Sequence, residues 1–302
     1  MQNALVSLSD ELTKLVEEFQ SEVVAVHARP RYPSSGVHWR PGLVVTADHT
    51  IRREEDIQVT LDGGKTVNAT LAGRDGGTDL ALLKVEGLGS PPARTIDGES
   101  ARVGELALVL GRSPDSGPNA SLGIISAVSG PWRTWRGKRL DQYIRLDANF
   151  FPNSSGGAVI DGRGRLVGIA TAGLSRIAGL AIPAATVNRV VDALLEKGHV
   201  PSAYLGVGVQ PVGIPDALRE KLSLANRSGV MVVSVEPDGP ASRAGVYLGD
   251  ILVSLGEAQI EQIEDLQTVL DSLGIGKVAK ARLIRAGALE EVTITSDERP
   301  GK

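Results

Sequence analysis

The sequence contains no cysteine. Disulfide staples and thiolate metal sites are therefore excluded. Aromatic residues make up only 3% of the chain and methionine occurs twice, so any core must be packed from Val, Leu, Ile and Ala. Positive charge is not in excess: 32 Lys and Arg stand against 36 Asp and Glu, a net charge of −4 with a pI near 5.7. A nucleic-acid binder usually carries a basic excess, and no nucleic-acid partner is expected. No apolar run reaches the ~18 residues needed to cross a bilayer, so no transmembrane segment is expected. No His-Glu-x-x-His motif or other ligand cluster occurs, so no metal or cofactor is implied. Residues 1–20 lack the basic, apolar and small-residue parts of a secretory signal. A cytoplasmic location is the expectation for the chain as written, with the periplasm or cell envelope as the alternative if a signal segment has been removed.

What is present fits a globular protein. Hydrophobic residues are 42% and charged residues 23% of 302 residues, enough for two domains or one large one. The 36 glycines suit a turn-rich, β-rich chain. Leu5, Leu8, Leu12, Leu15, Val16 and Phe19 recur at helical spacing, with Ser7 or Ser9 as the N-cap. Short apolar runs follow at 23–26, 42–47, 57–61, 69–72, 80–85, 106–110, 123–128, 158–160 and 166–170. Asp62-Gly63, Asp75-Gly76, Asp97-Gly98 and Asp161-Gly162 lie between them as hairpin-type dipeptides. Many short strands at regular spacing predict a barrel or sandwich. A helix bearing Val187, Val190, Val191, Leu194 and Leu195 closes this region, with Gly198 at its C-cap. Residues 198–203, with Pro201, read as a linker. A second β-rich unit runs from Tyr204 to about Ser296 and contains one helix, with Leu266, Val269, Leu270 and Leu273 on one face. The tail from Asp297 onward reads as polar and loose. The expected domains are 1–199 and 200–302.

Three polar residues border apolar strands. His49 follows a run ending Thr46-Ala47-Asp48, Asp79 immediately precedes Leu80-Ala81-Leu82-Leu83, and Ser155 lies in Asn153-Ser154-Ser155-Gly156-Gly157. A serine hydroxyl is a poor nucleophile unless a base lies within hydrogen-bond reach and a carboxylate fixes that base's tautomer. Gly156 and Gly157 let a substrate backbone approach closely. Singly, each residue has an ordinary structural reading as a core histidine, a turn acid or a polar turn. Jointly they occur in the order His, Asp, Ser across one β-rich region, the chain order of a chymotrypsin-type triad.

At these residues the chain resembles the HtrA/Deg family of serine proteases. Thr46-Ala47-Asp48-His49 is similar to the family's histidine motif, and Gly77-Thr78-Asp79-Leu80-Ala81-Leu82-Leu83-Lys84-Val85 to its aspartate motif. Leu146-Asp147-Ala148 through Ser155-Gly156-Gly157-Ala158-Val159 resembles the serine motif, and Gly179-Leu180-Ala181-Ile182-Pro183 the strand after it. The unit from Tyr204 resembles the family's PDZ domain in Tyr204-Leu205-Gly206-Val207, Gly239-Pro240-Ala241-Ser242-Arg243-Ala244-Gly245 and Gly249-Asp250-Ile251-Leu252. The resemblance covers nearly the whole chain. It implies a mainly β fold: a chymotrypsin-like double β-barrel followed by an α+β PDZ domain. It implies a serine endopeptidase acting on unfolded or damaged polypeptides. Ser155 would be the nucleophile, His49 the general base and acid, and Asp79 its orienting carboxylate, with the Asn153 and Ser155 N–H groups as the oxyanion hole. Asn149, with Thr171, Ala172 and Gly173, would line a pocket for a small or medium aliphatic P1 residue. Tyr204, Leu205, Gly206 and Val207 would capture peptide C-termini beside a helix bearing Leu266, Val269 and Leu270. A homo-oligomer is implied, commonly a trimer formed through N-terminal segments.

One departure stands out. The family usually reads Gly-Asn-Ser-Gly-Gly around the nucleophile, where this chain has Asn153-Ser154-Ser155-Gly156-Gly157. If position 153 needs positive φ, a residue with a Cβ costs ~1–2 kcal/mol there, Asn among the least. Loss of a hole donor costs ~2.7–4 kcal/mol. The alternative to an active peptidase is a weak or inactive pseudoprotease serving as a peptide-binding scaffold or chaperone. The stretch from Gly130 to Arg139 places four basic residues and Trp132 and Trp135 in one loop. It reads as a stacking and charge surface, as a solvated loop with one packed Trp, or, by the resemblance, as the regulatory loop with Arg133 or Arg136 as relay.

Overall fold

The computed structural model describes residues 3–88, 92 and 101–299; the Asp97-Gly98 dipeptide lies outside them. The chain forms two compact units, Met1–Val200 and Pro201–Lys302.

The first unit opens with α1 (Ala4–Phe19), capped by Asn3, whose side chain accepts from the Leu5 N–H. The cap is therefore Asn3 and not Ser7 or Ser9, because the helix begins at Ala4, one residue before Leu5, and Ser7 and Ser9 lie inside it. Leu15, Val16 and Phe19 pack on the core, whereas Leu5 and Leu8 are exposed. Six strands follow: β1 (Val23–His27), β2 (Ser34–Arg40), β3 (Leu43–Ala47), β4 (Ile57–Thr60), β5 (Thr66–Asp75) and β6 (Leu80–Val85). They close a barrel in the order β1-β2-β3-β6-β5-β4. Next come β7 (Leu106–Ser113) and β8 (Gly117–Ser129), a small ribbon of β9 (Trp132–Arg133) and β10 (Arg139–Leu140), then β11 (Tyr143–Asp147), β12 (Ala158–Asp161), β13 (Leu166–Thr171) and β14 (Gly179–Pro183). A second barrel closes in the order β11-β14-β13-β12-β7-β8.

Why the apolar runs are continuous follows from strand periodicity. In β6, Ala81, Leu83 and Val85 fill the first barrel, while Leu80 and Leu82 point into a cluster shared by both barrels. In β7 and β12, Val109 and Val159 fill the second barrel, and Leu108, Leu110, Ala158 and Ile160 join the shared cluster. Strands buried on both faces need no polar alternation. α2 (Ala184–Lys197) seals the shared cluster with Val187, Val190, Val191 and Leu194, and ends at Gly198 in the left-handed region, φ 73°. Leu195 belongs to the solvent side, 42% exposed, and not to that face.

The second unit contains β15 (Ala203–Tyr204), β16 (Val207–Gly213), α3 (Asp216–Leu222), β17 (Ser228–Val235), α4 (Pro240–Arg243), β18 (Ile251–Leu255), β19 (Ala258–Gln259), α5 (Ile263–Leu273), β20 (Val278–Arg285), β21 (Ala288–Thr295) and β22 (Asp297–Glu298). Three helices replace the single expected one, since α3 and α4 are too short to display a period. Ala203, read as linker, and Asp297–Glu298, read as loose tail, pair as β15 and β22. The ion pair from Arg243 to Asp297 (2.6 Å) holds that end down. The sheet runs β16-β17-β18-β20-β21, leaving one edge of β16 unpaired among the described residues.

The Gly249-Asp250 turn carries a buried carboxylate. Arg285 Nε and Nη2 reach Asp250 Oδ1 and Oδ2 at 2.8 and 2.6 Å, and the Tyr247 N–H adds a third bond at 2.8 Å. Burial pushes this acid up, but the bonds from Arg285 and Tyr247 outweigh it and hold it below its ordinary 3.8. The stabilisation is fully present above that ordinary value and is lost as pH falls through the depressed one. Arg285→Met is expected to destabilise the second unit by about 3 kcal/mol at neutral pH, the lower end for breaking a buried pair because Arg285 is partly exposed. Urea melts should show this loss shrinking at acid pH, where Asp250 is protonated in both states.

Candidate active site

His49 sits in a single helical turn after β3. Thr50 pins the turn, its hydroxyl donating to Ala47 O at 2.7 Å. Asp79 ends the turn between β5 and β6. Asp75 shapes that turn by accepting from the Thr78 N–H and hydroxyl at 2.9 and 2.7 Å, so the neighbouring acid is already engaged. Asp79 takes φ +60°, the left-handed region that Asp tolerates better than most residues. It is held there by its contacts: His49 N–H to Oδ1 at 2.8 Å, His49 Nδ1 to Oδ2 at 2.8 Å and to Oδ1 at 3.0 Å, and the Thr171 hydroxyl to Oδ2. The Asp79 side chain is 4% exposed and that of His49 30%. The carboxylate is thus withdrawn from water while the imidazole edge stays open. With Nδ1–H donating to the carboxylate, Nε2 is left as a proton acceptor.

Ser155 begins the run into β12 and is buried to 6% exposure. Its Oγ accepts from the Ala172 N–H at 3.3 Å; among the described residues no hydrogen bond joins it to His49. The loop before it is held carbonyl by carbonyl. Phe151 O accepts from Ser154 N (2.9 Å), Pro152 O from Arg29 Nη2 (2.6 Å), Asn153 O from Ser35 Oγ (2.6 Å), Ser154 O from Gly157 N (3.0 Å) and Ser155 O from Ser35 N (3.2 Å). The donors differ. Phe151, Ser154, Gly156 and Gly157 all donate to protein acceptors, whereas the Asn153 and Ser155 N–H groups donate to none among the described residues. Two N–H groups without acceptors among the described residues, one residue apart in an otherwise satisfied loop, are an anion-binding arrangement. Asn153 does not have positive φ, so the strain expected of a Cβ there does not arise. Gly156 does, at φ 86°, and packs against Ser35 O and the Thr46 hydroxyl, where no side chain fits.

The residues expected around the pocket separate. Thr171 is buried and its hydroxyl belongs to Asp79. Gly173 lies against the His49 ring, and its N–H donates to Thr171 Oγ1 at 2.9 Å. Ala172 supplies the N–H to Ser155, and Asn149 is exposed with no hydrogen bond among the described residues. Motif reading did not mark Ser35, Arg29 or Thr134. Thr134 Oγ1 donates to Gly77 O and Arg136 Nη1 to Gly76 O, both at 2.8 Å, so the loop 130–139 grips the turn that presents Asp79. Arg133 donates to Gly137 O in its own loop. Trp132 packs edge-on against Tyr143, and Trp135 is exposed beneath the Arg136 guanidinium.

In the second unit, Tyr204 is half-buried in β15 and Leu205 is in the core. Gly206 takes φ 73° and Val207 starts β16. Leu205 O and Gly206 O accept from Ala241 N and Glu236 N, both at 2.8 Å, while the Leu205 and Gly206 N–H groups donate to no acceptor among the described residues. Leu266 is buried in the core, and Val269 and Leu270 are partly exposed on α5, which packs beside β16.

Paired barrels presenting a buried Asp79 against a half-open His49 near a serine on a glycine-bearing turn, followed by a small open sheet, have the architecture of a trypsin-like peptidase domain followed by a PDZ domain. Comparison with known proteins agrees. The trypsin-like peptidase domain family matches residues 34–169 and the PDZ domain family residues 203–295. A probable periplasmic serine endoprotease of DegP type from Brucella suis biovar 1 (strain 1330) is 32% identical over 290 residues, which is 91% of this chain and 54% of the relative. One of the same description from Rhizobium meliloti (strain 1021) is 32% identical over 278 residues, 88% of this chain and 53% of the relative. The chain thus spans about half the length of these curated relatives. Among solved structures, the serine endoprotease from Yersinia pestis superposes with TM-score 0.77 at 28% identity, covering 95% of this chain and 98% of that one. The HtrA-type protease AlgW with a decapeptide gives TM-score 0.77 at 26% identity, covering 96% and 99%. The chain belongs to the HtrA family of serine proteases, with one PDZ domain.

A Cβ on Gly173 would stand 2.5 Å from His49 Nδ1 and 2.7 Å from Asp79 Oδ2. Gly173→Ala is expected to part the His49–Asp79 pair without unfolding the barrels. Proton NMR should lose the low-field Nδ1–H resonance, and fluorophosphonate labelling of the serine should slow about 10²-fold. An unchanged resonance would refute the close packing.

Proposed function

We propose that the protein is a serine endopeptidase whose PDZ domain binds peptide C-termini. The observation that carries this reading is the pair of unengaged N–H groups at Asn153 and Ser155, set in a rigid loop near a buried Asp79–His49 pair. Ser155 Oγ attacks the scissile carbonyl carbon as His49 Nε2 takes its proton. The Asn153 and Ser155 N–H groups receive the oxyanion, which then collapses and expels the amine, protonated by His49. Water repeats the sequence on the acyl-enzyme. Asp79 holds the imidazole in the required tautomer and stabilises its cation. The catalytic reading is favoured over the silent scaffold because the acid, base, nucleophile and donors are all present and the relatives are named as endoproteases.

Substrates are unfolded or damaged polypeptides. Ala172 and Gly173 border the serine, and Asn149 lies six residues before it, near the P1 side. A peptide C-terminus adds a strand to the open edge of β16, its carboxylate on the Leu205 and Gly206 N–H groups and its last side chain against Val269 and Leu270. The solved HtrA-type relative with a bound decapeptide supports a peptide ligand. Arg136 and Thr134 act as the regulatory contacts of loop 130–139, supported by their bonds to the Asp79 turn; Arg133 acts within that loop. The periplasmic naming of the relatives supports a cell-envelope location over a cytoplasmic one. The exposed Leu5, Val6 and Leu8 of α1 support assembly of copies, with a trimer as the expected state.

Ser155→Ala should abolish casein hydrolysis and fluorophosphonate labelling while leaving peptide binding intact. A wild-type protein that neither cleaves nor labels, with or without C-terminal peptides, would overturn the peptidase reading. Peptides with free apolar C-termini should bind more tightly than their C-terminal amides, measured by fluorescence anisotropy; equal affinities would remove the carboxylate site.

A further inference from the structure

Arg29 lies just after β1 and outside every motif. It is half-buried and, among the described residues, has no carboxylate partner; its hydrogen bonds, from Nε and Nη2, go to backbone carbonyls. Nε donates to Tyr32 O at 2.6 Å and Nη2 to Pro33 O at 3.4 Å, which fixes the guanidinium on the first barrel. The same Nη2 reaches 123 residues along the chain to Pro152 O, at 2.6 Å. Pro152 O and the Asn153 N–H belong to one peptide group. That group is trans, and a trans peptide points its C=O and N–H in opposite directions. A grip on Pro152 O therefore sets where the Asn153 N–H points.

Among the described residues no second bond does this: proline has no N–H, and the Asn153 N–H donates to no described acceptor. The flanking peptides are fixed independently, Phe151 O by Ser154 N and Asn153 O by Ser35 Oγ. Released from Arg29, the single peptide 152–153 is free to turn over between two fixed neighbours. That turn would place a carbonyl where the N–H now is, replacing a donor to the oxyanion with an acceptor that repels it.

We propose that Arg29 is a positioning residue of the oxyanion hole: by holding Pro152 O it keeps the Asn153 N–H available to the developing oxyanion. This rests on the peptidase reading given above. Only the fraction of molecules with the N–H turned inward is competent, so Arg29 acts on kcat and not on substrate binding or peptide capture.

The test compares full-length wild type, Arg29→Ala and Arg29→Lys in hydrolysis of fluorescein-labelled β-casein, in the rate of fluorophosphonate labelling, and in thermal melts. Arg29→Ala should lower kcat at least about 10-fold and up to about 10²–10³-fold, the loss of one hole donor, with KM within twofold and the melt unchanged. Methylguanidinium chloride should restore part of the lost kcat, and tetramethylammonium chloride at equal ionic strength should not. Arg29→Lys, which keeps one donor without the fork, should fall between. A wild-type kcat in Arg29→Ala, or a higher one, overturns the proposal while leaving the peptidase reading intact. A loss that tracks the melt and that methylguanidinium does not relieve also overturns it, since that is a general role in stability. Failure of the wild type itself to cleave or label overturns the peptidase reading instead.

Discussion

A carboxyl group taken out of water needs hydrogen-bond donors around it, and the first unit is organised around one such group. Asp79 receives the His49 N–H, the His49 ring and the Thr171 hydroxyl. The histidine comes from the end of β3, the aspartate from the start of β6 and the threonine from the end of β13, so this one carboxylate ties the two barrels together at the site. Its left-handed backbone, the Asp75–Thr78 turn beneath it and the bare face of Gly173 above it all serve the same geometry. Thr134 and Arg136 hold that turn from a third direction.

Ser35 performs the matching task for the serine loop. Its backbone N–H donates to Ser155 O, and its hydroxyl donates to Asn153 O while accepting from the Arg112 N–H. One residue of the first barrel thereby connects a strand of the second barrel to the loop that presents Ser155. A Cβ on Gly111 would come within 2.9 Å of that hydroxyl, which is why the strand carries glycine there. Preorganisation of this kind is what lets fixed dipoles act on developing charge without reorganising.

Much of this was legible in the sequence. The strands of both barrels whose faces are both buried read as unbroken apolar runs, and the His, Asp and Ser motifs stand at their ends. β2 and β11 did not show, because Ser34, Ser35 and Arg145 interrupt any period: their polar groups face hydrogen-bond partners in the fold. Helices α3 and α4 were too short for periodicity, and the Asp297–Glu298 strand has no apolar signal at all. The place of Thr171 beside Ala172 and Gly173 is visible in the chain, whereas the direction of its hydroxyl, toward Asp79, is not.

The sequence alone determined the class of fold and the candidate His, Asp and Ser side chains, because strand burial follows from pattern and because motif residues are covalently adjacent to the strands that carry them. Only the tertiary structure decided which backbone groups remain without a partner. The N–H groups of Asn153 and Ser155, and those of Leu205 and Gly206, which have no acceptor among the described residues, are defined by what the groups nearby are bonded to. Those partners, Arg29 and Ser35 for one loop and Ala241 and Glu236 for the other, lie far along the chain from the groups they organise. A hydrogen bond across 123 residues leaves no periodic trace, and so the readiness of the site is a property of the folded backbone.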